Sequence, residues 1–117
     1  MGDNFLNLPN SEIDEKCFQL IVSILEEYGN LEINKLIPHL LANTKNTKNS
    51  KYKNILTYFK VNHNGIVRYL EKYFAFTIVK DEKNINILLN KENIHLKPFV
   101  NDWIFVDNDY YENLKSI

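Results

Sequence analysis

The stretch HNGIVRYLEKYFAFTIV, residues 63–79, changes character halfway along, and this change decides the predicted fold. Its first half spaces apolar residues as an amphipathic helix does, and its second half is an unbroken aromatic and β-branched run typical of a strand. At about 100° per residue, one side of the helix collects five apolar side chains, Ile66, Val67, Leu70, Tyr73 and Phe74. Arg68 and Lys72 would share the opposite, exposed side with Gly65, and Tyr69 would border it. The stretch therefore predicts a helix with a basic outer face that leads directly into a strand.

Three helices are predicted upstream of this stretch. The longest spans residues 11–28, where apolar residues recur at helical spacing and Ser11 and Asp14 lie at near-capping-box spacing. Gly29 is placed to end this helix, and a brief strand is possible over residues 31–33.

The second and third helices are shorter. Asn34 is predicted to cap a helix that ends at Leu41, and Pro38 is tolerated there because it falls in the first turn. The sequence KYKNILTYF, residues 51–59, spaces apolar residues on one helical stripe. Its polar residues would point outward: Lys53 and Thr57, followed by Lys60.

Polar segments separate and follow these elements. Residues 43–51, NTKNTKNSK, contain nothing that could pack and predict a flexible basic loop. FAFTIV and INILLN, residues 74–79 and 85–90, are predicted strands, joined by the hairpin connection KDEKN. Residues 91–117 are acidic, aromatic and broken by Pro98, and we expect part of this segment to pack on the domain, with Trp103 and Phe105 as anchors.

Four helical segments closed by a β-hairpin follow the order of a winged helix. Residues 59–79, and more loosely residues 14–89, resemble the winged-helix domains of the LOTUS and Egalitarian type. In those domains a glycine opens the last helix, leucines recur through it and an aromatic residue leads into the wing. The matching positions are Gly65, Ile66, Leu70 and Phe74, and the second glycine often found in those domains is Ile66 in this chain. The resemblance implies RNA-associated work or docking onto a partner protein.

A chain of 117 residues has the size of one domain with one core. The predicted fold class is α+β, a mostly helical winged helix-turn-helix with a C-terminal β-hairpin wing and a C-terminal extension. Residues 1–11 are expected to form an N-terminal arm, residues 12–90 the winged-helix domain, and residues 91–117 the acidic-aromatic extension that packs on the domain or on a partner.

Charge is segregated along the chain, although the net charge is only −1. Residues 1–32 hold seven acids against one lysine, whereas residues 33–70 hold seven bases and no acid. An acid-free window of 38 residues, in a chain with 15 acidic residues, indicates an electrostatic surface for a polyanion. The sequence therefore predicts weak binding of nucleic acid, either RNA or single-stranded DNA, with low sequence specificity.

Nine residues are predicted to contact nucleic acid: Lys45, Lys48, Lys51, Lys53, Lys60, Asn64, Arg68, Tyr69 and Lys72. In a helix-turn-helix arrangement the last helix meets the groove, and free backbone amides near Asn64 and Gly65 could receive a phosphate. Tyr58 and Tyr69 are candidates for stacking on unpaired bases, although tyrosines at such positions are more often half-buried boundary residues. An ordinary solvated helix face and a lysine-rich solvent loop are the plainer alternatives for the remaining residues.

A protein-interaction winged helix that acts as a scaffold or dimerisation subunit is the competing hypothesis. The acidic segment NDWIFVDNDYYENL, residues 101–114, offers four aromatic anchors for a protein partner or a second copy. These anchors are Trp103, Phe105, Tyr110 and Tyr111. Intramolecular packing explains the same residues, and the segment could also cover the basic surface as an acidic mimic of the ligand.

Enzymatic activity has little support in the sequence. Cys17, His39, His63 and His95 show no pair at metal-ligand spacing, and Cys17 lies on the apolar stripe of the first helix. Motifs for a nucleophile or a phosphate-binding glycine loop are absent from the sequence. We therefore expect no catalytic residue, metal, cofactor or small-molecule substrate. No run of about 18 apolar residues predicts a membrane span, and we expect an intracellular protein.

Overall fold

The computed structural model describes residues 6–44, 51–96 and 98, which form four α-helices, three short strands and a final 3-10 helix. The helices are α1 (Asn10–Tyr28), α2 (Ile33–Asn43), α3 (Ile55–His63) and α4 (Ile66–Glu71). The strands are β1 (Leu31–Glu32), β2 (Phe76–Lys80) and β3 (Ile85–Leu89), and the 3-10 helix is Lys91–Asn93. The α+β class predicted from the sequence is confirmed.

Helix α1 follows the predicted apolar pattern but not the predicted cap. The apolar stripe is buried, and Gly29 ends the helix with a positive φ of 80° while its N–H donates to the carbonyl of Leu25. Pro9 occupies the N-cap position, and no side chain there makes a capping hydrogen bond. The capping role predicted for Ser11 and Asp14 is therefore wrong, because α1 begins earlier than expected and Asp14 lies inside it.

Helix α2 is longer than the sequence predicted. It begins directly after β1 with Glu32 as its N-cap, so the capping role predicted for Asn34 is wrong. Pro38 consequently lies inside the helix rather than in its first turn, at a position where its missing N–H removes one helical hydrogen bond. Leu36 and Leu40 are fully buried, as expected, whereas Leu41 is exposed.

Helices α3 and α4 are joined by a tight turn. Asn54 caps α3 by accepting a hydrogen bond from the backbone N–H of Thr57 at 2.9 Å. Asn64 then adopts the left-handed conformation with φ 61°, and Gly65 follows with φ 114°. These two residues reverse the chain, so the predicted break between the helices is confirmed.

The three strands form one antiparallel sheet in the order β1-β3-β2. Ile87 at the centre of β3 pairs with Leu31 on one side and with Ile78 on the other. Asp81 closes the β2–β3 turn, since its carboxylate accepts hydrogen bonds from the backbone N–H groups of Lys83 and Asn84. The predicted hairpin is confirmed, and its strands are shifted by one or two residues at their ends.

One hydrophobic core collects side chains from all four helices and from the sheet. Tyr58, Phe59 and Tyr69 are its largest fully buried members. The core reaches past the predicted domain limits in both directions, because Leu6 is buried in it and Ile94 packs against it.

Candidate nucleic-acid interface and buried polar cluster

The structure separates the nine predicted nucleic-acid contacts into three groups. Five have exposed side chains: Lys51, Lys53, Lys60, Asn64 and Arg68. Tyr69 and Lys72 are buried. Lys45 and Lys48 lie outside the described residues, as do the four predicted partner contacts Trp103, Phe105, Tyr110 and Tyr111.

The exposed basic residues lie on the segment from the start of α3 to α4, which we call the α3–α4 surface and define by Lys53, Lys60, Asn64 and Arg68. Positions 53, 60 and 64 recur at helical spacing and are exposed. Lys51 precedes them and lies over the ring of Tyr52, with its Nζ 5.6 Å from the ring centroid. The described part of this surface, residues 51–70, contains no acidic side chain.

Arg68 is an exposed cation of this surface, with a side chain that is 73% exposed. Its Nη1 lies 3.7 Å from Oε1 of Glu71 on the same helix, and Oε2 of Glu71 lies 3.9 Å from Nζ of Lys80 on β2. Exposed pairs of this kind contribute about 0–1 kcal/mol to stability. One carboxylate thus lies between a cation of α4 and a cation of the hairpin.

The turn before α4 does not offer the free backbone amides that the sequence suggested. The N–H of Gly65 donates to the carbonyl of Phe59 at 3.0 Å, and the N–H of Asn64 points to the same carbonyl. Helix α4 also contains only six residues. The N–H groups of Asn64 and Gly65 therefore cannot receive a phosphate, because the turn itself uses their hydrogens.

Tyr69 and Lys72 were predicted to face solvent, and this prediction is wrong. Tyr69 is fully buried and Lys72 is 7% exposed. Tyr69 lies within α4, and its hydroxyl donates to the main-chain carbonyl of Asp14 on α1. Lys72 follows the last residue of α4, and its Nζ contacts Nδ1 of His63. Tyr58, the second candidate for base stacking, is also fully buried.

Five polar side chains, most of them buried, form one hydrogen-bonded cluster between α1, α3 and the end of α4. We call it the Asp14 cluster and define it by Asp14, Tyr58, His63, Tyr69 and Lys72. Nε2 of His63 lies 2.8 Å from Oδ1 of Asp14, and Nδ1 of His63 lies 2.6 Å from Nζ of Lys72. Among the described residues, no buried side-chain polar atom lacks a hydrogen-bond partner.

The tyrosines of this region donate to Asp14 from the other side. The hydroxyl of Tyr58 donates to Oδ1 of Asp14, and the hydroxyl of Tyr69 donates to the main-chain carbonyl of Asp14, both at 2.5 Å. Burial is the largest cause that raises the pKa of Tyr58 and of Tyr69 above the usual value, and it raises the pKa of Tyr73 to about 12. These phenols are therefore neutral donors over the physiological range.

The hydrogen bonds of the Asp14 cluster define where its protons lie. A carboxylate only accepts, so Nε2 of His63 donates to Asp14. Nδ1 of His63 then has a lone pair that accepts a hydrogen bond from the ammonium group of Lys72. Desolvation lowers the pKa of Lys72, and the charge of Asp14 opposes that effect. Lys72, His63 and Asp14 thus form one hydrogen-bonded chain.

Sequence reasoning missed this cluster, although one signal was present. Asp14 recurs with Cys17 and Ile21 at helical spacing, and His63 recurs with Ile55 and Phe59 in the same way. A polar residue in the phase of an apolar stripe indicates a buried polar contact. The partners could not be named, because Asp14 and His63 are 49 residues apart in the chain.

Cys17 is a buried free thiol, and burial raises its pKa. In the part of the chain that the structure describes, no group of three or more His, Cys, Asp or Glu side chains is arranged to hold a metal ion. Over the same residues, no helix has the length and apolar character needed to cross a membrane.

Comparison of the chain with protein-family models, with curated proteins and with solved structures gives no match in any of the three.

Proposed function

We propose that this protein is a non-enzymatic winged-helix module that binds RNA or single-stranded DNA through the α3–α4 surface. The order of the elements supports this proposal. Three helices follow β1, a hairpin follows the helices, and the second hairpin strand pairs with β1 in the order β1-β3-β2. This order supports the proposal of a winged helix, in which the helix before the hairpin would be the one that meets nucleic acid.

The observation that carries the functional proposal is the exposed, acid-free character of residues 51–70. Lys51, Lys53, Lys60 and Arg68 are exposed there, and Asn64 lies between the last two. Phosphate contacts by lysine and arginine release counterions and dominate non-specific affinity. Four such contacts predict a salt slope of about −2.8 on a single strand.

The hairpin favours a single strand over a duplex. Its turn carries Asp81 and Glu82 beside Lys83, and all three are exposed. A turn that entered a minor groove would bring these carboxylates close to the phosphates, where like charges repel. A single strand can instead follow the α3–α4 surface without approaching the hairpin turn.

A binding titration of the full chain against labelled single-stranded RNA and DNA tests the proposal. The variant Lys60→Glu/Arg68→Glu changes two cations of the surface. The matched control Lys16→Glu/Lys91→Glu makes the same change in net charge at two exposed lysines on α1 and the 3-10 helix. We expect the first variant to bind at least about tenfold more weakly than the control, because each lost phosphate contact removes one counterion-release term.

Docking onto a protein partner is a second candidate function, favoured by an exposed apolar residue on the same surface. Val61 of α3 follows Lys60 and is 65% exposed. An exposed apolar side chain suits the core of a small protein interface, and a lysine beside it suits the polar rim. Under this candidate, Val61→Asp abolishes co-purification of a partner from the native source, whereas Lys60→Glu/Arg68→Glu leaves nucleic-acid affinity unchanged.

A further inference from the structure

The register of the β2–β3 hairpin decides which main-chain groups of β2 point away from the sheet. Hydrogen-bonded pairs alternate with unbonded pairs along an antiparallel ladder. The N–H of Asp81 donates to the carbonyl of Asn84, so Val79, two residues earlier, also directs its main-chain groups at β3. The residues on either side of it, Ile78 and Lys80, therefore direct their N–H and C=O groups outward. We call these groups the β2 edge.

The β2 edge is open to a further strand. β2 lies at the margin of the sheet order β1-β3-β2, and in the part of the chain that the structure describes no main-chain hydrogen bond reaches Ile78 or Lys80 from outside the sheet. Lys80, at the end of β2, is the one charged residue of this strand. Edges rich in β-branched residues pair readily with other strands, so natural proteins usually block or cover them.

We propose that residues 103–106, Trp-Ile-Phe-Val, cover the β2 edge of their own chain as a fourth strand that runs parallel to β2, with Trp103 beside Phe76. These four residues lie outside the described part of the chain. Strand addition of this kind is independent of nucleic-acid binding.

The longest apolar run of residues 97–117 has the composition of a strand. Its four residues, 103–106, are all aromatic or β-branched, which are the residue types that favour strands. Asp102 precedes the run and Asp107 follows it, so a charged residue marks each end. The run is thus long enough to pair along most of β2.

The chain enters this region beside the start of β2. After β3, the side chains of Asn90 and Asn93 both donate to the main-chain carbonyl of Phe74 at 3.2 Å, and the N–H of Leu96 donates to the carbonyl of Asn93 at 3.1 Å. The chain from Leu96 to Trp103 extends up to about 23 Å, and neighbouring strands lie about 5 Å apart. A strand that begins at this end of β2 runs parallel to it.

The alternation of side chains along β2 decides which face of the added strand is buried. Phe76 is buried and Ile78 packs against the core, whereas Val79 is 46% exposed on the opposite face. Trp103 and Phe105 share one face of a strand because they are two residues apart. On the face of Phe76 and Ile78, this larger pair of side chains extends the core.

Charge supports the same register. With Trp103 beside Phe76, Asp107 falls beside Lys80 on the same face. The side chain of Lys80 is 57% exposed, and its Nζ lies 3.9 Å from the carboxylate of Glu71. Opposite charges on one face of adjacent strands attract. A shift by one residue would turn Trp103 to the solvent face and would remove this pair.

A second copy of the protein fits the β2 edge less well. Antiparallel pairing of two β2 strands about Ile78 would place Lys80 of one copy opposite Phe76 of the other. It would also require the N–H of Phe76, which already donates to the carbonyl of Tyr73 at 3.3 Å. The segment 103–106 needs no hydrogen from Phe76.

Amide hydrogen exchange of the full chain, followed by nitrogen-15 NMR, tests the added strand. In the proposed register the N–H groups of Ile78 and Lys80 donate to the carbonyls of Ile104 and Val106. The variant Val106→Pro removes an N–H that donates to Ile78. We expect the Ile78 and Lys80 amides to exchange at least about tenfold faster in this variant than in the unsubstituted chain. Val79, whose N–H faces β3, should exchange at the same rate in both.

The control Asn113→Pro places the same ring beyond the proposed strand, and we expect the amides of Ile78 and Lys80 to remain protected in it. Unprotected amides at these two residues in the unsubstituted chain would overturn the proposal, as would protection that survives Val106→Pro. Protection that falls on dilution would assign the β2 edge to a second copy and would also overturn it.

A charge reversal tests the register. Asp107→Lys places two cations beside each other, so we expect exchange at Ile78 to become about two- to fivefold faster. Asp109→Lys makes the same change in net charge beyond the proposed strand, and we expect no change at Ile78. Equal effects of the two substitutions would overturn the pairing of Asp107 with Lys80 and with it the proposed strand.

Discussion

Asp14 accepts hydrogen bonds from four side chains that come from three later parts of the chain. Its carboxylate accepts from Tyr58 and His63, and its main-chain carbonyl accepts from Tyr69 and, at 3.5 Å, from Tyr73. A main-chain carbonyl inside a helix has a second lone pair that an outside hydroxyl can reach. Asp14 therefore ties α1 to α3, to α4 and to the residues that follow α4.

Replacement of Tyr58 by Phe tests the strength of this attachment. The ring stays in the core, but the hydroxyl that donates to the Asp14 carboxylate is lost. Hydrogen bonds to charged groups contribute about 1.5–3 kcal/mol, so we expect the free energy of unfolding in urea to fall by that amount. The control is Tyr28→Phe, at an exposed tyrosine that stacks on His39, where we expect a change below about 0.5 kcal/mol. Equal effects of the two substitutions would contradict the role of Asp14.

Alkaline titration tests the burial of the same phenols. The pKa of Tyr73 is raised to about 12, and the pKa values of Tyr58 and Tyr69 are also raised. A raised pKa in the folded state stabilises the protein fully below the usual tyrosine value near 10, and this stabilisation is lost as the pH rises through the folded-state value. We expect the free energy of unfolding to decline above about pH 10 and tyrosinate absorbance to appear together with loss of helical circular dichroism. Ionisation of Tyr58 near pH 10 in the folded protein, assigned with Tyr58→Phe, would contradict this burial.

At the scale of elements, the turn between α3 and α4 fixes where the basic helix begins. Gly65 has φ 114° and ψ 165°, a backbone conformation that residues other than glycine rarely adopt. Asn64 has the milder left-handed conformation, which asparagine tolerates. The backbone N–H of Gly65 also closes the end of α3.

Substitution of Gly65 by Ala is expected to destabilise the protein through the backbone alone. A Cβ at this position meets no atom within 4 Å, so steric contact adds nothing. Strain in this region costs about 1–3 kcal/mol, which thermal or urea unfolding would detect. Asn64→Gly is the matched comparison, and we expect it to change stability by less than about 0.5 kcal/mol, since glycine accepts the left-handed conformation. A larger effect at Asn64 than at Gly65 would contradict this account of the turn.

Most elements were predictable from the sequence because their apolar periodicity is local. The stripe of α1 and the β2–β3 hairpin follow from residue spacing and turn residues, whereas the strand β1 was only a possibility because its segment is so short. The end of α4 was not predictable in the same way, because nothing between Glu71 and Phe74 marks a stop. Helix α4 ends earlier than expected, Lys72 is buried against His63, and Phe74, predicted to be buried, is 42% exposed.

At the scale of the whole molecule, only some of the residues predicted to contact nucleic acid are exposed in the folded protein. Lys53, Lys60 and Arg68 are exposed, as expected. Helical phase explains this for Lys60 in α3 and Arg68 in α4, whereas Lys53, predicted to lie on the third helix, precedes α3, which begins at Ile55. Tyr69 and Lys72 were misplaced, because their environment depends on contacts with α1, some 55 residues away for Tyr69. The spacing of residues within one helix thus predicts which side chains are exposed, but it does not predict hydrogen bonds between residues far apart in the sequence.

Glu71 forms an ion pair with Arg68. Its replacement therefore tests whether Arg68 contacts phosphate. Its carboxylate competes with any phosphate for Arg68 and Lys80. Glu71→Gln should therefore strengthen binding of single-stranded RNA at low salt, by roughly two- to fivefold for one exposed charge pair. The control is Glu27→Gln, at an exposed acid near the end of α1, for which we expect no change in affinity. Weaker binding by Glu71→Gln would contradict a phosphate contact at Arg68.

The measurement that tests the central proposal most directly is the salt dependence of single-stranded RNA binding by the unsubstituted chain and by Lys60→Glu/Arg68→Glu. We predict that the logarithm of the association constant falls linearly with the logarithm of salt concentration, with a slope of about −2.8 for the unsubstituted chain and about −1.4 for the variant. A slope that is the same for both proteins, or an affinity lost equally in Lys16→Glu/Lys91→Glu, would contradict binding through the α3–α4 surface.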